Sequence, residues 1–283
     1  MNVTQLRAVK TVLEKSGIHY PNKEDKTLLA IGYTHLDADM ARQLLAESVR
    51  SIGSALPLES VAMWHWFRHS KDKKQAKDFL ATLYPAVLAR HRDLYDLHDP
   101  LEEGLPSIGQ VQDPLFLMAL TWSNESLIHL GHMLGEDVLE VIQWQELTIY
   151  SMNEKLWDES CGGYLSYDLD ENRFFRGDRL TRFAPLAGEI PTQDQAECML
   201  LELERELFAG ELSVWEGWLL YHGLRRYDFD ELAAKLHRFL SESITSFGCF
   251  ERYHSESGEP VLNDKREQSP LAAALWIDLL KCR

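Results

Sequence analysis

The chain has 283 residues, 45% of them hydrophobic, 10% aromatic and 26% charged, with a formal net charge of −16 at pH 7. That mixture buries a sizeable core and excludes a disordered chain. The negative excess argues against nucleic acid and anionic membrane surfaces, both of which are held by clustered Lys and Arg, whereas a neutral ligand meets no such penalty.

Met1 to Lys15 has neither the unbroken apolar core nor the small-residue cleavage site of a signal peptide, and no apolar run is long enough to cross a bilayer. The four cysteines, Cys161, Cys198, Cys249 and Cys282, lie far apart and form no C-x-x-C pair. A reducing, cytoplasmic setting is the expectation.

Apolar residues recur at helical spacing along most of the chain. Leu6, Val9, Val12 and Leu13 make one stripe, and Met40, Leu44, Leu45 and Ile52 a second that Asp37 can cap. Pro57 stands where a new helix can begin, and Phe79, Leu80, Leu83 and Val87 follow. Phe116, Leu120, Leu127, Leu130 and Leu134 run up to Gly135, a helix-ending glycine. Gly162 to Tyr167 alternates like a strand, and Asp168 to Asn172 is turn-rich ahead of Phe174 and Phe175, which predicts a β-hairpin among helices. Helical stripes resume at Ala196, Met199, Leu200, Leu203 and Leu207, and at Leu232, Leu236, Phe239, Leu240 and Ile244. Ordinary helix and loop lengths give about ten to twelve helices. No linker divides them, so residues 1–283 are expected to form a single domain.

Leu156-Trp157-Asp158-Glu159, Val214 to Leu224 and Phe250 to His254, taken together, resemble stretches of the trehalase-like six-hairpin glycosidases, the group of glycoside hydrolase family 63 and the mannosylglycerate hydrolases. Leu156-Trp157-Asp158-Glu159 with Cys161 to Asp168 resembles that group's "LWDEExGxYxxYD", and Phe183 to Gly188 its "PLxAG". Ala30 to Tyr33 with Asp37, and Val111 to Phe116, fall in the same order. Val214 to Leu224 resembles "VWxxxNWLLxxGL", and Phe250-Glu251-Arg252-Tyr253-His254 with Ser257-Gly258-Glu259 resembles "FxEYYxPxTGE". The resemblance implies an all-α (α/α)6 barrel with one small inserted β-hairpin, closed so that the segment around Leu6 to Leu13 meets Leu271 to Leu279. Three family segments, "WxWDSxF", "HPWESGMDNSP" and "YWRGP", are not intact, so a barrel with trimmed active-site loops and a shallow pocket is expected.

Inverting glycoside hydrolysis needs two carboxyl groups about 6.5–9.5 Å apart, one to protonate the leaving oxygen and one to activate water. The resemblance makes Glu251 the general base. The family's acid lies in a missing loop, which leaves Asp113 and Glu216 as candidates; a helix cap is the competing role for Asp113, and an exposed mid-helix position for Glu216. Trp215, Trp218, Tyr253 and Trp157 are candidate sugar-stacking rings, with burial in the core as the alternative. No cofactor is implied and no metal site is read: Asp168, Asp170 and Asn172 start like a calcium loop but lack its glycine and bidentate Glu, and His129 and His132 have no third ligand. The implied partner is a small sugar or glycoside. Two readings stand: descent from an inverting α-glycosidase of a small sugar conjugate with at most weak hydrolysis, or a non-catalytic carbohydrate-binding or scaffold protein that retains the barrel.

Overall fold

The computed structural model describes residues 11–13, 23–51, 56–262 and 267–281. Helices alternate between an inner and an outer ring. The inner elements are α1 (Lys23–Tyr33), α3 (Glu59–His69), α5 (Pro114–Leu134), the short α7 (Arg179–Phe183) prolonged by a 3₁₀ turn (Ala184–Gly188), α9 (Val214–Arg226) and α11 (Pro270–Leu279). The outer ones are α2 (Ala38–Arg50), α4 (Lys73–His98), α6 (Leu139–Ser151), α8 (Gln193–Glu206) and α10 (Asp230–Phe247). Inner helices are apolar nearly all round: every residue of α11 from Ala272 to Leu279 is buried. Outer helices are one-sided, with Leu232, Leu236, Leu240 and Ile244 of α10 turned inward and charged residues outward.

Each inner element packs on the next, from α1 to α3, α5, the 3₁₀ turn, α9 and α11, and α11 returns to α1, so the ring closes as expected. At that seam the backbones nearly touch. A Cβ added to Gly32 would stand 2.5 Å from the Cα and carbonyl oxygen of Ala274, a separation only glycine permits. Leu13 is buried in the same core, and its carbonyl accepts the Tyr33 hydroxyl at 3.4 Å. Leu6 and Val9 lie outside the described residues.

Caps fix where the helices begin and end. Asp37 accepts the backbone N–H groups of Asp39 and Met40, and Gly135 closes α5 in the left-handed region at φ 87°. Outer α4 is tied to inner α5 through buried polar groups. His91 Nδ1 pairs with Asn124 Oδ1 at 2.7 Å, Asn124 Nδ2 donates to the Tyr95 hydroxyl at 2.9 Å, and that hydroxyl meets Thr148 of α6 at 2.9 Å.

Connections alternate in length. Those leading from an inner element to an outer one, such as residues 70–72, 135–138 and 227–229, are tight turns. Those leading from an outer helix to an inner one, residues 99–113, 152–178, 207–213 and 248–269, are longer and hold every described strand. The ring therefore has a looped end, where inner helices start, and a tight-turned end, where they stop. The expected hairpin is present as β4 (Ser166–Asp168) paired with β5 (Arg173–Phe175). It is one of three small sheets rather than alone. β1 (Val111–Gln112) joins β4, β2 (Trp157–Asp158) pairs with β3 (Gly163–Tyr164), and β6 (Glu211–Ser213) pairs with β7 (Arg252–His254). Asp168 to Asn172 is the hairpin turn, with Asp168 Oδ1 accepting the N–H groups of Asp170 and Glu171.

Candidate active site

At the looped end the N-termini of α7, α9 and α11 surround a cleft of about 380 Å³ lined by Asp178, Arg179, Trp215, Glu216, Glu251 and Arg252, among others. The β6–β7 pair builds one wall. It sets Ser213 opposite Arg252, and the carbonyl of Glu251 accepts the N–H of Val214 at 2.9 Å, which pins Glu251 beside the first turn of α9. The Glu251 side chain is exposed on the rim. Tyr253, fully buried, holds the turn from below: its hydroxyl accepts the N–H of Phe250 at 2.8 Å and donates to the carbonyl of Gly248. Tyr253 is thus a support for Glu251 and has no ring face open to a ligand.

Glu216 lines the cleft and is engaged. Arg179 donates to it through two nitrogens, Nε to Oε1 at 2.6 Å and Nη2 to Oε2 at 3.0 Å. The same guanidinium donates to the carbonyls of Glu206 at 2.5 Å and Glu211 at 2.6 Å. Both carboxylate oxygens of Glu216 are thus engaged by the arginine. Its observed work is to lock the turn before α9 onto α7.

Asp113 caps α5, with Oδ1 accepting the N–H of Phe116 at 3.0 Å. Burial pushes its carboxyl above the ordinary value. Hydrogen bonds from Phe116 and Leu115 oppose the rise, and the nearby negative charge of Asp178 adds to it. Burial thus biases Asp113 towards holding a proton. Asp178 itself caps α7, accepting the N–H of Thr181 at 2.8 Å, and faces the cleft. Sequence reasoning missed it; the signal was an acidic residue at a helix start following the β-hairpin.

Among the aromatic candidates, Trp215 borders the cleft and stacks on Trp218 at 5.5 Å between centroids. Trp218 is buried between Trp215 and Trp122, with its Nε1 donating to Asp278 at 2.8 Å. Trp157 borders a separate surface hollow with Lys155, Asp158 and Phe174. The structure thus brings Glu251, Glu216 and Trp215 together, and sets Asp113, Trp218, Tyr253 and Trp157 outside the lining of that cleft.

Residues 106–215 match the model of the mannosylglycerate hydrolase MGH1-like glycoside hydrolase domain. The mannosylglycerate hydrolase of Rubrobacter radiotolerans is 26% identical over 240 residues, which cover 76% of this chain and 53% of that protein. The chain spans about half the length of the curated relatives it matches. A crystal structure of the family 63 mannosylglycerate hydrolase of Thermus thermophilus superposes with a TM-score of 0.86 at 18% identity, covering 99% of this chain and 100% of that one. The neutral trehalase of Saccharomyces cerevisiae superposes with a TM-score of 0.70 at 13% identity, covering 91% of this chain and 70% of the trehalase.

The fold is that of the six-hairpin glycosidases. The chain is glycoside hydrolase-like and resembles the mannosylglycerate hydrolases along most of its length. In this six-hairpin frame the Glu251 cleft lies at the looped end. The expectation concerning metals rested on the turn from Asp168 to Asn172 and on His129 and His132. His129 stacks on Trp64 at 5.0 Å, while the described residues gather three other histidines, His35, His65 and His69, at the tight-turned end. No helix among the described residues is long and apolar enough to cross a membrane.

Proposed function

We propose that this protein acts on a small, neutral or weakly acidic α-linked sugar conjugate of the mannosylglycerate class, bound in the Glu251 cleft, with slow inverting hydrolysis. The observation that carries this reading is the company Glu251 keeps: a carboxylate fixed by the β6–β7 pair, an aromatic ring at Trp215 and the cap of α7, all at the looped end. Crystal structures of the Thermus thermophilus relative hold glucose, or Tris with D-glycerate, which supports a sugar-sized ligand of this polarity. Glu251 activates the water. Asp113 is the candidate acid, its carboxyl raised chiefly by burial. An exposed base and an acid outside the cleft lining make turnover slow, since general acid or base assistance is worth typically about 10²–10⁴-fold.

Hydrolysis of mannosylglycerate and related α-glycosides by the purified chain tests the reading. Weak turnover that is lost in Glu251→Gln, with the melting temperature unchanged, is expected. Turnover that survives Glu251→Gln would refute the site. A second reading, sugar binding without hydrolysis, is favoured by the Arg179 clamp on Glu216. Its signature is a sugar-dependent rise in melting temperature with no released product.

A further inference from the structure

At the tight-turned end, the turn after α1 and the C-terminal halves of α3 and α9 bring imidazoles onto one buried carboxylate of α11. Asp278 of α11 is fully buried. Its Oδ1 lies 2.9 Å from His35 Nε2 and 3.0 Å from His65 Nε2, and those two nitrogens are 3.2 Å from each other. Its Oδ2 accepts Trp218 Nε1 at 2.8 Å and faces His222 Nε2 at 3.3 Å. His69, one turn beyond His65 on α3, donates Nδ1–H to the carbonyl of His65 at 2.9 Å, which leaves its Nε2 as the unprotonated nitrogen. The candidate ligand nitrogens of His35, His65 and His69 all lie within 4.8 Å of one another.

We propose that His35, His65 and Asp278, completed by His69, form a binding site for one tetrahedral divalent transition-metal ion of the zinc class. Three observations converge on it. First, a tetrahedral zinc ion with bonds of about 2.0–2.1 Å sets its ligand atoms roughly 3.3 Å apart, and the His35, His65 and Asp278 atoms already form a triangle with edges of 2.9, 3.0 and 3.2 Å. With protons alone, these three atoms are held by hydrogen bonds whose donors depend on the imidazole tautomers; a cation at the centre would engage all three at once. Second, the surroundings match those of a metal ligand set: the second oxygen of Asp278 is oriented by Trp218 and His222, and the tautomer of His69 is fixed by a backbone carbonyl. Third, there is an entry path, since His35 and His69 line an open cleft of about 400 Å³ whose walls include Asp39 and Asp72. Three imidazoles and one carboxylate suit zinc, cobalt or nickel, and do not suit calcium or magnesium.

The site is separate from the Glu251 cleft. Along α9 and α11 seven residues separate Trp215 from His222 and Leu271 from Asp278, about 10 Å of helix. A bound ion would join α1, α3 and α11 and so clamp the seam at which the ring closes.

The test uses the whole chain, stripped with a chelator and titrated with Zn²⁺ by calorimetry, then with Co²⁺ by visible absorption. Expected are one equivalent of tightly bound Zn²⁺, a higher melting temperature on loading, and the intense d–d bands of tetrahedral Co²⁺. His35→Gln should abolish this binding. His69→Gln, a change at an exposed position, should weaken it at least about tenfold while leaving the metal-free melting temperature unchanged. Failure of wild-type protein to bind one equivalent, a six-coordinate Co²⁺ spectrum, or binding indifferent to His69→Gln would overturn the proposal, and the cluster would then be a proton-sharing network only.

Discussion

Arg179 holds more of the looped end than any other single side chain described there. It is 15% exposed and Glu216 11%, so its loss strands a nearly buried carboxylate and several carbonyls. Arg179→Met should destabilise the fold by about 3–5 kcal/mol in denaturant titrations, and adding Glu216→Gln should restore part of that. Asp113 behaves in the opposite sense. Its folded-state carboxyl is raised by burial, so it contributes a penalty that is fully present above the folded value, shrinks as pH falls through it, and vanishes below the unfolded value near the ordinary carboxylate pKa. Asparagine keeps the helix cap. Asp113→Asn should therefore be more stable than wild type at pH 7, with the advantage fading towards pH 4; an advantage independent of pH would contradict this account. Glu251 was legible in the sequence only through the motif around it, since a lone exposed Glu carries no signal of its own. The partners of Asp278 were not legible at all. They come from position 35 in the turn after α1, 65 on α3, and 218 and 222 on α9; Trp218 and His222, like His65 and His69, share a helix face, but that spacing says nothing of a carboxylate so distant in sequence.

Among the helices, the two ends of each element were read with more success than their neighbours in space. Asp37, Asp113 and Gly135 cap as their residue types dictate, because capping is a local contest between side chain and backbone. Four of the short strands, β1, β2, β6 and β7, were missed because two or three residues cannot display an alternation; β6 and β7 exist only by pairing with each other. Glycines separate local from tertiary effects cleanly. Gly32→Ala would ordinarily favour a helix by about 1 kcal/mol. Here the new methyl meets Ala274 backbone at 2.5 Å, so the substitution should instead cost about 1–3 kcal/mol. Gly135→Ala meets nothing within 4 Å and should lose only the strain of a positive φ, about 1 kcal/mol. Chemical denaturation of the two variants side by side checks the order.

For the molecule as a whole, the described inner elements close into one ring, which predicts that it unfolds as one unit. Tryptophan fluorescence, reporting on the stacked Trp122, Trp215 and Trp218, and far-ultraviolet circular dichroism, reporting on all helices, should give coincident denaturation curves. Two separated transitions would divide the chain into independent parts. The seam adds a consequence in time. His35 and Asp278 are 243 positions apart, so the α1 face that α11 covers waits for a segment made 243 residues later. At translation rates of about 5–20 residues per second, that face waits roughly 10–50 s on a nascent chain, longer than the microseconds to seconds in which small domains fold. The ring thus cannot close before its last inner helix has been made, and until then Leu28, Leu29 and Ile31, buried once it has closed, lack the cover of α11.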